Sequence, residues 1–149
     1  MRAVIQRVKQ ASVEVDGIIT GTIAGGIVTF LGIQRHDDLK AIVWMVEKII
    51  QLRIFPDTDG KMNISLADIG AEMLIVSQFT LYGDCRKGRR PGYSEAAPPE
   101  IAEPIYNRFI DEVRKRGIHA ETGKFQAMMN VSLTNDGPVT LLLDSEKKF

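Results

Sequence analysis

Several residue types on which a function could depend are scarce in this chain. It has one cysteine, Cys85, which excludes an intrachain disulfide and a zinc site built from several cysteines. The two histidines, His36 and His119, are far apart and follow no metal-binding spacing. The 19 basic and 19 acidic side chains cancel. Any nucleic acid must therefore be held by a local basic patch, because the molecule as a whole has no attractive field.

Long apolar runs are also missing. None approaches the roughly 20 residues that a membrane-spanning helix needs, and residues 1–8 are too short and too charged for a signal peptide. A single cysteine fits a reducing compartment. We therefore expect a cytoplasmic protein with no membrane partner. The 149 residues contain no visible repeat or low-complexity segment, which predicts one domain, residues 1–149.

The apolar residues that are present fall in short runs separated by turn residues, which predicts strands in a meandering sheet. Residues 27–33 are nearly all apolar, so we expect a central strand covered on both faces. Residues 4–8 and 11–15 are joined by a turn or a bulge, or form one long bent strand. The other expected strands are residues 18–23, 71–77, 118–122, 128–133 and 139–143.

Two segments have the apolar period of amphipathic helices. The first runs from residue 39 to about residue 51 and can be capped by Asp37 or Asp38. The second spans about residues 99–116, where Pro104 predicts a kink or a later start. Together with the strands, these helices predict an α+β fold: a mostly antiparallel β-sheet or open barrel with two main helices.

Turn residues lie between the last two expected strands. Asn135, Asp136, Gly137 and Pro138 in succession favour a wide turn that leads into an edge strand. Pro138 is unusual at a hairpin tip, since it lacks the N–H that ordinarily follows glycine there. An X–Pro bond is also cis in about 5–6% of cases. From local chemistry alone, the segment is interpreted as a connection between strands.

Side chains that could act as nucleophiles follow one expected strand. Ser77 and Thr80 lie where reactive groups are often presented, although strand-end hydrogen bonding is the simpler explanation. Ser77 is not in a G-x-S-x-G elbow, and no pattern ties it to a histidine, so a Ser-His-Asp triad is not favoured. Asp57, Asp59 and Gly60 begin a calcium-loop pattern that lacks its later ligands. We therefore expect no metal site, and no motif indicates a cofactor.

A long polar loop, residues 83–99, interrupts the apolar pattern. Four cations lie within residues 86–90, and Tyr82 and Tyr93 flank them. Cations beside aromatic faces suit a nucleic-acid backbone and unstacked bases. A solvated loop is the competing interpretation.

Two short motifs are much more specific together than apart. Residues 77–80, Ser-Gln-Phe-Thr, and residues 135–140, Asn-Asp-Gly-Pro-Val-Thr, resemble the two signature motifs of the D-aminoacyl-tRNA deacylase family, also called the D-tyrosyl-tRNA(Tyr) deacylase family. Neither motif departs from the family pattern. The likeness covers nearly the whole chain and includes residues 3–8, 86–91, 96–99 and 122–125.

The resemblance implies an ester hydrolase with aminoacyl-tRNA as its partner. It would cleave the bond that joins a D-amino acid, or glycine mischarged on tRNA(Ala), to the 3′-terminal adenosine, and so release free tRNA. It also implies a homodimer in which the Gly137–Pro138 bond is cis and this pair enters the active site of the other subunit. There the two carbonyl groups would collide with an L side chain, while a D side chain would point away. Arg7 would brace the segment.

Without an assigned histidine, catalysis is expected to depend on positioning and on oxyanion stabilisation. Ser77 and Gln78 would shape the pocket, and the backbone N–H of Phe79 or Thr80 would bind the oxyanion. Thr80 is the candidate nucleophile by residue type. The family also admits a route in which the 2′-OH of the RNA assists, and this second route is slightly favoured.

Two further choices are left open at this point. Phe125 and Met129 either help to form an adenine pocket or are plain core residues. As to function, the alternatives are a non-catalytic RNA-binding module, which would use the basic loop and a sheet surface, and an acyl hydrolase of small metabolites with Thr80 as nucleophile. The paired motifs argue against the first alternative, and the lack of a general base argues against the second.

Overall fold

The computed structural model describes residues 1–148, which form eight strands, three α-helices and one short 3-10 helix. In chain order these are β1 (Arg2–Val15), β2 (Ile18–Ile23), β3 (Gly26–Gly32), α1 (Leu39–Ile50), β4 (Arg53–Pro56), β5 (Met62–Ser65), α2 (Leu66–Ile69), β6 (Glu72–Ser77), the 3-10 helix (Phe79–Tyr82), α3 (Pro99–Lys115), β7 (Ala120–Thr122) and β8 (Asn130–Asp144).

Six strands form one mixed sheet around the long strand β1. β3 pairs with the first half of β1 and β2 with its second half, while β8 follows β1 along nearly its whole length, all antiparallel. β3 then pairs with β6, and β6 with β7, in parallel. Parallel neighbours need a crossover connection, and the chain segments that contain α1 and α3 supply it. β4 and β5 form a separate two-stranded hairpin.

The two ends of the sheet approach each other, so the sheet is nearly a barrel. β2 lies at one end of the strand order and β7 at the other. A Cβ placed on Gly21 of β2 would lie 2.5 Å from the carbonyl oxygen of Thr122 in β7. Glycine at this position therefore permits the close approach of the two backbones. The predicted α+β class, with an open barrel and two main helices, is confirmed.

The apolar core has two parts, one on each face of the sheet. Ile27 and Leu31 of β3 belong to the cluster that packs against α1 and α3. Val28 belongs to a second cluster with residues of β1 and β6. Alternate side chains of one strand thus enter different clusters, which confirms the prediction that the apolar run 27–33 is covered on both faces.

Both main helices begin and end close to their predicted limits. Asp38 is the N-cap of α1, and its carboxylate accepts a hydrogen bond from Ala41 N at 2.9 Å. α3 starts at Pro99 and continues through Pro104 to its last turn. The four-residue helix α2 was not predicted, although Ser65 and Asp68 form a capping box that marks its start. Within residues 1–148, no helix is both long and apolar enough to span a bilayer.

The predicted wide turn between two C-terminal strands is wrong. β8 is one strand, and it keeps its antiparallel pairing with β1 on both sides of the turn residues. Gln6 pairs with Thr140 and Val8 with Asn135, so one residue of β1, Arg7, faces four residues of β8. The turn residues therefore form a wide bulge, because β1 is long enough to hold both halves of β8. β1 is itself continuous, which selects the long bent strand from the predicted alternatives.

Candidate active site

A cavity of about 690 Å³ opens at the end of the sheet where β3 and β6 terminate. Because β3 and β6 are parallel, their C-terminal ends lie side by side at this edge. The start of α3 and the chain between β7 and β8 complete the wall, which is mostly apolar. The lining residues come from four ranges, 31–35, 76–79, 93–102 and 125–131.

Three of the four residues of the motif 77–80 lie together in this cavity. Ser77 is the last residue of β6, and Gln78 follows it with its N–H donated to Leu31 O at 2.8 Å. The chain then turns into the 3-10 helix. Phe79 is exposed at the cavity rim, where its ring meets that of Tyr93 edge-on at 5.1 Å. The end of β6 thus presents two half-buried polar side chains and one aromatic ring to the same space.

Thr80 has a different position from its three neighbours. It is exposed and is not among the residues that line the cavity. Its Oγ1 accepts a hydrogen bond from Gln78 Nε2. Thr80 therefore orients the Gln78 side chain, which does face the cavity.

Phe125 and Met129 lie on the cavity wall and also pack against the core. The Phe125 ring lies 5.6 Å from the ring of Tyr106, whose hydroxyl donates to Ile75 O at 2.8 Å. Burial raises the pKa of Tyr106 well above its ordinary value, so the hydroxyl stays protonated and keeps this bond. Met129 folds back over Gly123, where a Cβ would lie 2.5 Å from the Met129 sulfur. The contacts with Tyr106 and Gly123 thus hold the two side chains in place on the cavity wall.

The bulge of β8 is braced but lies away from the cavity. The Gly137–Pro138 bond is cis, both residues are exposed, and neither lines the cavity of its own chain. Arg7 Nε lies 2.7 Å from the Asp136 carboxylate. The Asn135 side chain donates to the carbonyl oxygens of Arg7 at 2.9 Å and Val139 at 3.1 Å. The structure therefore gives the bulge a fixed shape without bringing it to residues 77–79.

The basic loop begins at the cavity rim. Asp84 and Gly92 exchange two backbone hydrogen bonds, of 2.7 and 2.9 Å, which close the base of the loop. Tyr93 follows directly and contacts the Phe79 ring. Arg86 binds the Asp84 carboxylate through two nitrogens, at 2.9 and 2.8 Å, and holds the pKa of that carboxyl far below its ordinary value. The other three cations, Lys87, Arg89 and Arg90, are exposed and form no ion pair with any residue in the described range 1–148.

The remaining titratable candidates lie elsewhere. Neither histidine lines the cavity, and His119 lies 3.1 Å from Glu121 at an exposed position. Residues 1–148 contain no cluster of three or more histidine, cysteine or acidic side chains that could hold a metal ion. In the partial calcium pattern, the Asp57 carboxylate accepts N–H groups of Asp59 and Lys61 and so closes its own turn.

Two lining residues had no signal as site residues in the sequence. Arg35 lies just before the predicted first helix, and Met128, which is 91% exposed at the rim, was predicted to be a strand residue. The pairing of β3 with β6 places residue 35 near the end of β6. A parallel pair was not predicted, so this proximity could not be inferred from the sequence.

The fold class is shared with solved structures. The c-Myc DNA Unwinding Element Binding Protein superposes with a TM-score of 0.91 and is 44% identical, over 97% of this chain and 98% of that chain. A structure described as a probable eukaryotic D-amino acid tRNA deacylase has a TM-score of 0.82 at 18% identity, over 95% of this chain and 97% of that chain. The second likeness shows that the two chains share a fold. The class is therefore that of a small α+β protein with a nearly closed mixed sheet.

Sequence relatives define the family within this class. The family model for D-Tyr-tRNA(Tyr) deacylase matches residues 4–144. Two full-length relatives named D-aminoacyl-tRNA deacylase, from Desulfotalea psychrophila and Thermosipho africanus, are 65% and 60% identical over 100% of both chains. The chain belongs to the D-Tyr-tRNA(Tyr) deacylase family. The predicted family and the predicted enzyme class, a carboxylic ester hydrolase, are thereby confirmed.

Proposed function

We propose that this chain hydrolyses the ester bond that joins a D-amino acid, or glycine mischarged on tRNA(Ala), to the 3′-terminal adenosine of tRNA. The products are free tRNA and the amino acid. One observation carries the proposal: a single cavity is lined both by Ser77, Gln78 and Phe79 and by Phe125 and Met129, with the basic loop at its rim. This cavity has room for the terminal adenosine and its amino acid.

The substrate has three chemically different parts, and we assign each of them to a surface of the cavity or its rim. Adenine, a flat aromatic base, stacks by one face against Phe125 and Met129. The ester lies beside Ser77 and Gln78 at the end of β6. The acceptor end of the tRNA extends toward the exposed cations of residues 87–90, which attract its phosphates.

Stabilisation of the oxyanion is assigned to the start of the 3-10 helix. Phe79 and Thr80 contribute its first N–H groups, which such a helix leaves without an intrahelical partner. An N–H aimed at the carbonyl oxygen of the ester stabilises the negative charge that develops there as water attacks. In other enzymes, the loss of one such donor costs about 100- to 1,000-fold in rate.

No side-chain base is assigned to the reaction. Among residues 1–148, the cavity lining contains no histidine and no carboxylate. We therefore assign assistance to the 2′-OH of the terminal ribose, which lies next to the ester oxygen. Water adds to the ester carbonyl carbon, the bond from that carbon to the 3′ oxygen breaks, and the 3′ oxygen takes a proton as the amino acid leaves.

Selection by handedness is assigned to the Gly137–Pro138 pair of a second copy of the chain. The pair is exposed and braced, yet it lies outside the cavity of its own chain, which suits insertion into a partner in a homodimer. Its carbonyl groups would face the substrate α-carbon and collide with an L side chain. Glycine has no side chain and would pass. Because exclusion needs no recognition of a particular side chain, one site would accept many D-amino acids.

The test of the activity is a comparison of D-tyrosyl-, L-tyrosyl- and glycyl-tRNA. We expect rapid deacylation of the D form and of glycyl-tRNA(Ala), with the L form spared. Equal hydrolysis of the D and L forms contradicts the gate. Binding of tRNA with no hydrolysis of any form favours the non-catalytic RNA-binding module.

The cross-subunit arrangement is tested with a purified mixed dimer. One subunit carries Phe79→Pro, which removes one proposed amide donor, and the other carries Gly137→Val, which crowds the gate. If the gate acts in the partner, one of the two sites combines an intact cavity with an intact gate, and we expect about half of the parental rate. If the gate acts within its own chain, neither site is intact and the mixed dimer stays as impaired as the two variants alone.

A further inference from the structure

One charged side chain lines a cavity that is otherwise apolar or neutral. Arg35 belongs to the lining, and the only other ionisable group there, within residues 1–148, is the phenol of Tyr93. Arg35 is exposed, whereas Leu31 and Ile33 before it are buried, so its guanidinium stands at the open edge of the cavity. A cation at the open edge of an otherwise uncharged cavity attracts an anionic ligand.

The backbone that carries Arg35 is fixed on both sides. Ala97 N donates to Ile33 O at 2.9 Å, and Gln34 forms a β-bridge with Ala96. Asp37 N then donates to Gln34 O at 3.2 Å, which closes a turn that contains Arg35. The backbone that carries Arg35 is therefore held in place, and binding of a ligand has to order only the side chain.

The acidic neighbours of Arg35 are engaged with other groups. The Asp37 carboxylate lies 2.6 Å from the Met1 amino group and also accepts Gln34 N at 2.9 Å. The Asp38 carboxylate caps α1 through Ala41 N. Arg35 forms no ion pair with any residue of the described range 1–148. Its charge is available to a ligand.

We propose that Arg35 binds the phosphate on the 5′ side of the terminal adenosine of the substrate. The inference rests on the proposed function, which places an aminoacyl-adenosine terminus in this cavity. In that terminus the adenine, ribose and ester are neutral and the α-amino group is cationic. Unless the amino acid has an acidic side chain, the 5′ phosphate is its one anion, and the planar guanidinium fork matches a phosphate in charge and in geometry.

The placement of the other substrate parts agrees with this assignment. Phe125 and Met129 are assigned to adenine, and residues 77–79 to the ester. Arg35 comes from a third segment of the wall, between β3 and α1. With a phosphate contact there, the substrate would be held at its adenine, its ester and its phosphate. These three contacts would keep the ester against the oxyanion donors.

The test uses two minimal substrates that differ in one group: the 3′-O-D-tyrosyl ester of adenosine and the same ester of adenosine 5′-phosphate. We expect the parent protein to prefer the phosphorylated ester by about 10- to 100-fold in kcat/KM, the range for a charge-assisted hydrogen bond. In Arg35→Gln that preference should disappear, since the rate with the phosphorylated ester falls to that with the other. Arg35→Lys should keep part of the preference, because it retains the charge without the fork.

A matched control is Lys40→Gln, which removes an exposed cation of α1 that does not line the cavity; it should keep the full preference. The inference is overturned if the parent hydrolyses D-tyrosyl-tRNA but shows no preference between the two esters. It is equally overturned if Arg35→Gln lowers the rate with both esters by the same factor, which would indicate a structural role. Failure of the parent to hydrolyse D-tyrosyl-tRNA would instead reject the proposed function, and this inference with it.

Discussion

Arg7 and Asp136 form an ion pair, with 2.7 Å between Nε and Oδ2, at the place where four residues of β8 face one residue of β1. The Arg7 side chain is 10% exposed, and its Nη1 also donates to Ile54 O in β4. One side chain of β1 therefore links the bulge of β8 to a strand outside the main sheet. Asp136, which precedes Gly137 and Pro138, is thereby tied to β1.

Replacing Arg7 with methionine is expected to loosen the bulge. The change leaves the Ile54 carbonyl without its donor and the Asp136 carboxylate without its partner, at a cost of about 1–3 kcal/mol in the free energy of unfolding. If the gate proposal is right, the ratio of D- to L-tyrosyl-tRNA hydrolysis should fall as well. Urea unfolding and the two kcat/KM values measure these effects.

Asp136→Asn is the matched control for Arg7→Met. The Asp136 side chain is 35% exposed, so its charge is screened and the loss should be smaller, about 1 kcal/mol or less. An Arg7→Met protein that unfolds like the parent and keeps its selectivity would show that Arg7 does not brace the gate.

Gly137→Ala is expected to separate function from folding. Gly137 has no positive φ, and the nearest atom to a Cβ built there is Asn135 Oδ1 at 3.7 Å, an ordinary contact. Nothing within the chain requires glycine, so stability should change by less than about 0.5 kcal/mol. If the gate proposal is right, the added methyl group would lie next to the substrate and should lower kcat/KM for D-tyrosyl-tRNA or weaken the rejection of the L form. Parental values for both would reject the gate.

Gly26→Ala provides the opposite case. Gly26 has φ +148°, and a Cβ there would overlap the carbonyl oxygen of Glu72 in the neighbouring strand β6. This glycine is required by the fold, and we expect its replacement to cost at least about 2 kcal/mol of stability. Comparison of Gly26→Ala with Gly137→Ala therefore distinguishes a glycine that the fold requires from one that the proposed gate requires.

Most of the elements could be predicted because their signals are local. The apolar period of α1 and the cap at Asp38 lie within a few residues of each other, and the continuous apolar run that defines β3 is equally short-ranged. The pairing of β3 with β6 joins residues more than 40 positions apart and depends on where α1 packs. No sequence pattern within β3 or β6 indicates which strand it pairs with. The parallel part of the sheet was therefore not predicted.

The bulge of β8 shows a second limit of local signals. Asn135 to Pro138 have the composition of a turn, and a turn ordinarily reverses the chain. Here β1 offers a partner on both sides of the segment, and its hydrogen bonds keep β8 in one direction. Tertiary pairing overrides the local preference, and the same residues project from a continuous strand.

Part of the cavity lining was indicated by the sequence. Residues 77–79, Phe125 and Met129 were proposed from a resemblance between motifs, and the structure brings them to one cavity. Neither composition nor periodicity contained this information, because the two segments meet only through the order of β3, β6 and β7. Arg35, which also lines the cavity, was not indicated by the sequence for the same reason.

Thr80→Val is expected to retain substantial activity. Valine keeps the shape of threonine, and the change removes only the hydrogen bond that Gln78 donates to Oγ1. Removal of a single neutral hydrogen bond corresponds to a decrease of about 2- to 10-fold in kcat/KM for D-tyrosyl-tRNA. A fall of about 10,000-fold or more with an unchanged circular dichroism spectrum would instead identify Thr80 as a covalent nucleophile.

The basic loop is expected to set the salt dependence of tRNA binding. Lys87, Arg89 and Arg90 are exposed, whereas Arg86 is held by Asp84. Replacing the first three by glutamine should reduce the slope of log K against log salt by about 2 to 3, since each phosphate contact contributes about 0.7 to 0.9. Arg86→Gln should change the slope by less than the contribution of one phosphate contact, because Asp84 already neutralises the charge of Arg86. Measured affinities between about 50 and 200 mM salt give both slopes; a triple variant with the parental slope would show that the loop is only a solvated surface segment.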